Sequence, residues 1–429
     1  MKKWSVLLFA IAMVAMVSYG VCASKDEPAV TSCYDPIPLS IPKYDFIRYD
    51  LNKLDFPMPE QGQMAFEGLY SLMDSVIFYP DAHLNIVHMG GSHVQAGVLS
   101  HRMRQHFQHF SCDLDAERGF FFPYRLAKTN GPRHFSTNRI GEWNSTRCAH
   151  NKQKGNWGIT GFEAWSVSDT SGLDIVAHKQ DSSRYQFDEV WLLHEGTLEP
   201  QWSYPFPDSV VTEKGISKYY FNHPQDSVSL RFYGNQLDSI IVHGMSLRNK
   251  NRAITYNALG VNGASTKSYL RCPKIFEEMS LLNADLVIFG VGINDAYMSE
   301  SRFDSELFEA RYDSLVQGFL KVNPNTAFLW LTNNDSYYKR RYPNKNALEV
   351  KEVMYRLASK HNGACWDLFE IMGGLGSIRQ WELAGLAKKD KIHFTGAGYQ
   401  LQADLLFDAI RQDYTQRLHE RNMPKTGQP

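Results

Sequence analysis

Residues 84–107 read LNIVHMGGSHVQAGVLSHRMRQHF, and this stretch decides the fold. The apolar run LNIVHM (84–89) predicts a buried strand, and the Gly-Gly that follows predicts a sharp turn. Beyond the turn Leu99, Met103 and Phe107 recur every four residues, as on one face of a helix. Strand, glycine turn and helix make a βα unit, and in α/β proteins functional side chains emerge at the carboxyl ends of the strands. Ser92 lies in that turn. It reads either as a nucleophile at a helix N-terminus, where backbone N–H groups favour developing negative charge, or as the cap of its own helix.

The same rhythm returns after residue 252. RAITYNALG (252–260), ADLVIFGVG (284–292), TAFLWLT (326–332) and GACWDLF (363–369) read as strands. SELFEARYDSLVQGFLKV (305–322) and NALEVKEVMYRLASKH (346–361) read as helices between them, and TGAGYQLQADLLFDAIRQDY (395–414) carries a last helix with Leu401 over Leu405 and Leu406 over Ile410. Strands alternating with helices predict a mostly parallel sheet covered on both faces. From about 136 to 250 the pattern differs. FDEVWLLHEG, KYYFNH, DSVSLRFYG and LDSIIVHGM are short, rich in β-branched and aromatic residues, and separated by Asn, Asp, Gly and Pro turns. The expected fold is therefore α/β, a mostly parallel sheet with an inserted β-sandwich.

A chain of 429 residues suits two folded units. The net charge of −1, with no long run of one sign, excludes an electrostatic footprint for nucleic acid. MKKW, the apolar SVLLFAIAMVAMV and the small-residue VCA before SKDEP form an export signal cleaved after Ala23, with no integral span left in the mature chain. Export to the periplasm or cell envelope is expected. Lipid attachment at Cys22 is the other reading of this segment, although Val21 stands where bacterial lipoproteins usually have a small residue. The chain divides into a signal peptide (1–23), a lead-in (24–80), a first α/β piece (81–135), the inserted β unit (136–251), a second α/β piece (252–415) and a tail (416–429). Without Cys22, Cys33, Cys112, Cys148, Cys272 and Cys365 remain, an odd set with no C-x-x-C spacing. This argues against a zinc site and a dense disulfide framework, and specifies no pairing. No metal or other cofactor is implied. His88, His93, His101, His106 and His109 lack the H-E-x-x-H pattern, and the last three read as a solvated helix face; dinucleotide and Walker loops are missing too.

Four strand-end loops carry polar residues that packing does not need. After Ser92 comes GVNGAST (260–266), where Gly263 lets a backbone N–H approach a ligand or simply makes a turn. GVGIND (290–295) offers the Asn294 amide to an oxyanion, or starts a helix with an Asx turn. DKIHFTGAG (390–398) places Asp390 three residues before His393, as an orienting carboxylate and a general base, or as exposed residues ahead of a Thr-capped helix.

Gly91-Ser92, Gly263, Gly292 to Asp295 and Asp390-x-x-His393 follow the order of the four blocks of the SGNH (GDSL-type) hydrolases, which this chain resembles over about 81–130 and 252–415. The resemblance implies a flavodoxin-like, doubly wound parallel sheet with a jelly-roll-like inserted β-sandwich, a Ser92–His393–Asp390 triad, and an oxyanion hole of the Ser92 N–H, the Gly263 N–H and the Asn294 side chain. GGSHVQAG, with RGFFFP and IGEW further on, resembles the bacterial peptidoglycan O-acetylesterases, whose members follow the serine with a His and carry a carbohydrate-binding-module-like β-sandwich between blocks one and two. One position departs: Gly91 stands where the family usually has Asp, so a carboxylate that organises the serine turn is missing. The resemblance implies an exported esterase that removes O-acetyl groups from a glycan. An O-acetyltransferase with the same triad and a carbohydrate-binding protein with a degenerate site are the alternatives. Trp143, Trp157, Trp165, Trp191 and Trp202 fall in the middle segment, to stack on sugars or to fill the core.

Overall fold

The computed structural model describes residues 39–79, 81–110, 116–177, 185–196, 201–234, 239–250 and 254–422. The segment expected to be an export signal, with Cys22, and likewise Cys33, Cys112 and residues 423–429 lie outside the described residues. Six strands form a parallel sheet: β1 (Leu84–Gly90), β2 (Ala116–Glu117), β3 (Ile254–Gly260), β4 (Leu286–Gly290), β5 (Ala327–Leu331) and β6 (Ala364–Trp366). Their spatial order is β6-β5-β4-β1-β3-β2. Apart from the two-residue edge strand β2, this is the 2-1-3-4-5 order of a flavodoxin-like sheet.

The strands are apolar because both faces are covered. Leu84 and Ile86 of β1 join one buried cluster with α1 (Pro59–Phe78), α2 (Val98–Gln108) and α5 (Gly396–Asn422). Val87 and Met89 join the other, with α3 (Ser305–Val322) and α4 (Asn346–Lys360). The Leu99, Met103 and Phe107 stripe of α2 is buried against the first face. Among the described residues no helix is long and apolar enough to cross a membrane.

The middle of the chain forms two antiparallel sheets. The larger runs Ser209–Glu213, Ile216–Gln225, Phe187–Gly196, Ile240–Arg248, Phe162–Ser166 and Trp143–Arg147. Gly119–Phe121, from ahead of residue 136, also pairs with Ile240–Arg248. The smaller sheet runs Phe135–Ile140, Thr170–Ala177, Ser227–Tyr233 and Gln201–Tyr204. Leu173, Ile175, Leu230 and Phe232 of the smaller sheet and Val190, Leu192 and Val242 of the larger share one apolar cluster, which continues into the α3 and α4 face of the parallel sheet. Trp143 and Trp157 are 1% and 2% exposed and fill this interior, whereas Trp165 and Trp191 are half-buried. The Trp202 side chain lies outside the description. Cys148, Cys272 and Cys365 are buried free thiols. The Cys148 partner and burial push the Cys272 thiol well above its usual range.

Candidate active site

Strands β1, β3 and β4 stop at the same level: Gly90 pairs in register with Gly260 on one side and Gly290 on the other. Chain order reverses at β1, so the loops leaving its neighbours diverge and open a crevice there. Ser92 starts a four-residue helical turn, Ser92–Gln95, in which Gly91 is the N-cap and no side chain caps. The Ser92 hydroxyl is engaged elsewhere, 2.7 Å from His393 Nε2. His393 Nδ1 lies 2.8 Å from Asp390 Oδ2, and Asp390 Oδ1 accepts the N–H groups of Ile392 and His393, each at 3.0 Å. These partners assign the tautomer: Nδ1–H donates to the carboxylate, and Nε2 accepts from Ser92. Burial raises the Asp390 carboxyl, but the His393 and Ile392 N–H groups and the imidazole outweigh it and hold the group below the ordinary aspartate range. Thr395 accepts the Gly398 N–H at 3.3 Å, so the threonine cap of the last helix coexists with the histidine site.

Gly263 has a φ of +81°, and Ala264 N–H bonds back to Val261 to close the turn around it. Asn294 lies inside the helical turn Ile293–Ala296, capped by Gly292 rather than by an Asx side chain. Its Nδ2 donates to the Ala264 carbonyl at 2.8 Å, which ties the third loop to the second. Asp295, not singled out in the sequence, makes a second tie. Its carboxylate accepts the Thr266 N–H at 3.1 and 3.2 Å and the Thr266 hydroxyl at 2.7 Å. Burial pushes the Asp295 carboxyl up to about 6 against these bonds. The signal was present in GIND itself, since an acid beside a donor at a strand end needs a partner. Tyr399 had no such signal: its hydroxyl meets His93 Nδ1 at 2.7 Å, and the His93 ring stands 5.2 Å from that of His393. Burial, and after it repulsion from His393 when that ring is protonated, lowers the His93 imidazole to about 3, so a neutral ring flanks His393.

The other histidines of this region correct the sequence reading. His106 is buried rather than solvated, its Nε2 2.6 Å from Asp404 Oδ1, because α2 packs on α5 as well as on the sheet. His101 stacks on His134 at 4.4 Å, and His109 alone of the three is exposed. No group of three or more His, Cys, Asp or Glu side chains able to hold a metal ion comes together among the described residues.

A hydroxyl hydrogen-bonded to an imidazole that a carboxylate orients is the constellation of nucleophilic acyl transfer. On a 2-1-3-4-5 sheet, with the serine on the first strand-end turn and the Asp and His before the last helix, it defines the SGNH hydrolase fold. Residues 229–401 match the GDSL-like lipase/acylhydrolase family. The match contains Gly263, Asn294, Asp390 and His393, and Ser92 precedes it. Among solved structures a peptidoglycan O-acetylesterase is similar at 19% identity and a TM-score of 0.62, covering 87% of this chain and 99% of its own. An acetyl xylan esterase (20% identity, TM-score 0.29, 36% of this chain and 80% of its own) and a family two carbohydrate esterase from Cellvibrio japonicus (10%, 0.25, 66% and 99%) match less fully. No curated protein matches the chain.

Proposed function

We propose that this chain is an exported serine esterase that removes O-acetyl groups from a glycan, peptidoglycan or another acetylated polysaccharide. The observation that carries this reading is the continuous Ser92–His393–Asp390 relay, at 2.7 and 2.8 Å. His393 takes the Ser92 proton as Oγ attacks the ester carbonyl, and the carboxylate of Asp390 stabilises the imidazolium. The oxyanion is held by the Ser92 and Gly263 N–H groups and by Asn294. An amide nitrogen has two donors, so the Ala264 bond fixes the orientation of the Asn294 side chain and leaves one N–H for the oxyanion. His393 returns the proton to the leaving sugar hydroxyl, and water, activated by the same imidazole, releases acetate and frees Ser92.

Residues 81–135 and 252–415 form the hydrolase unit, and 136–251 form an inserted β-sandwich that holds the glycan. Residues 1–23 direct the chain to the periplasm or envelope, and the fold shared with a peptidoglycan O-acetylesterase supports a cell-wall substrate. The test is acetate release from O-acetylated peptidoglycan by residues 24–429 beside the Ser92→Ala variant. Release by the former alone is expected, with acetyl mass on Ser92 in a quenched reaction. Equal release by both removes Ser92 from the chemistry, and release only when a sugar acceptor is supplied replaces hydrolysis by acetyl transfer.

A further inference from the structure

The oxyanion loop borders a cleft of about 470 Å³ lined by Lys128, Thr129, Arg147, His150, Gln153 and Asn262 among others, within the size range of small-ligand sites. Its walls are bonded to the catalytic loops. Asn262, next to Gly263, gives its N–H to Gln95 Oε1 at 2.6 Å, and its side-chain amide reaches Asn130 Oδ1 at 2.7 Å. Gln95, which ends the turn begun by Ser92, donates to the Asn130 carbonyl at 2.7 Å and to Thr129 Oγ1 at 3.2 Å. The opposite wall comes from the middle of the chain. Arg271 donates to the carbonyls of Cys148, His150 and Gln153 at 2.8, 3.3 and 2.6 Å, and Gln153 Oε1 accepts the Arg147 N–H at 3.0 Å. A Cβ on Gly263 would lie 4.0 Å from that of Ala149, so this wall abuts the oxyanion loop.

The cleft is charged in one sense only. Lys128 and Arg147 bring two cations, and among the described residues no Asp or Glu lines it. Glu163 stands behind the wall, its Oε1 accepting the hydroxyl of the lining Thr146 at 2.8 Å and its Oε2 the Asn156 N–H at 2.9 Å. Cations without a lining counter-ion, beside amide and hydroxyl groups suited to sugar hydroxyls, select an anionic saccharide.

We infer that this cleft is the subsite for a carboxylate-bearing sugar of the acylated glycan, with Lys128 and Arg147 binding the carboxylate while the ester lies over Ser92. The inference rests on the esterase reading for what brings the glycan to the site, but binding itself does not require Ser92. The Ser92→Ala chain is titrated calorimetrically with peptidoglycan disaccharide carrying its muramic carboxylate free, and with the same disaccharide as the methyl ester. The free acid is expected to bind about tenfold tighter, as for one charge-assisted contact. Lys128→Gln with Arg147→Gln should erase that preference. The double variant should keep the circular-dichroism spectrum and melting temperature of the Ser92→Ala chain, which shows that it is folded. Equal binding of acid and ester, or a preference that survives the double variant, overturns the inference. A wild type inert on both 4-nitrophenyl acetate and acetylated peptidoglycan overturns the esterase reading instead, and an acid preference lost in the double variant still supports the subsite.

Discussion

Gly91 is a glycine because of its neighbour rather than its backbone. Its φ of −93° and ψ of −137° lie outside the left-handed region, but a Cβ there would stand 3.0 Å from Asn294 Nδ2 and 3.6 Å from the Ala264 carbonyl. Restoring the family's aspartate therefore crowds the Asn294 amide. Gly91→Asp is expected to lower kcat on 4-nitrophenyl acetate by about tenfold, since sub-ångström misplacement of a catalytic donor is costly; a fully active variant shows that the donor tolerates the shift. Asn294→Ala, which deletes the proposed oxyanion donor, should lose on the order of a hundredfold or more in kcat at little change in KM. The meeting of Ser92 with Asp390 and His393 was legible from the order of the four blocks, although Asp390 and His393 lie in a turn between Ile378–Leu383 and the last helix rather than at a strand end. The contact between Gly91 and Asn294 was not, because it joins two loops whose separation is set only when β1 and β4 pair.

At the scale of elements, the stripes on α2 and α5 named the helices, and the strand runs named the sheet, since burial on one or two faces leaves a period in the sequence. What α2 meets beyond the sheet left no period. Its His106 and Arg102 converge on Asp404 of α5, with Nε2 and Nε each 2.6 Å from Oδ1. Burial raises the Asp404 carboxyl, but these two partners outweigh it and hold it below its ordinary range. Asp404→Ala strands both partners at the helix interface and should cost about 3 kcal/mol in urea unfolding, the scale for breaking a mostly buried pair. A loss below 1 kcal/mol would mean that the interface relaxes around the gap. On the proposed mechanism Asp295→Ala, which cuts the tie to Thr266, should instead lower kcat more than it raises KM, because it frees the loop that carries Gly263.

For the whole molecule, pH acts through groups buried in the wrong charge state for water. Burial, then the Arg104 charge, lowers His88 to about 3. Its unfolded value is near 6.5, so below that pH the unfolded chain takes up a proton that the folded chain refuses, and His88 subtracts about 1.4 kcal/mol of stability per pH unit until pH approaches 3. Asp295 and Asp335, raised by burial to about 6, act in the opposite direction as pH falls from 6 toward 4. The diagnostic quantity is therefore a difference. The stability of the wild type relative to His88→Gln should fall at about that slope between pH 6.5 and 5 in urea titrations, and a flat difference would show that the ring protonates in place. That the sheet would be parallel was legible from the strand and helix rhythm. The partnering of the middle strands was not, because antiparallel register depends on turns and neighbours far along the chain.

One short stretch belongs to both parts of that architecture. Ala116–Glu117 pairs with β3 at the edge of the parallel sheet, and after Arg118 alone, Gly119–Phe121 pairs with Ile240–Arg248 in the antiparallel sheet. With one residue between the two pairings, and an apolar interior continuous across them, no linker is left there to act as a hinge. The two regions should melt together in a single calorimetric transition, with equal calorimetric and van't Hoff enthalpies.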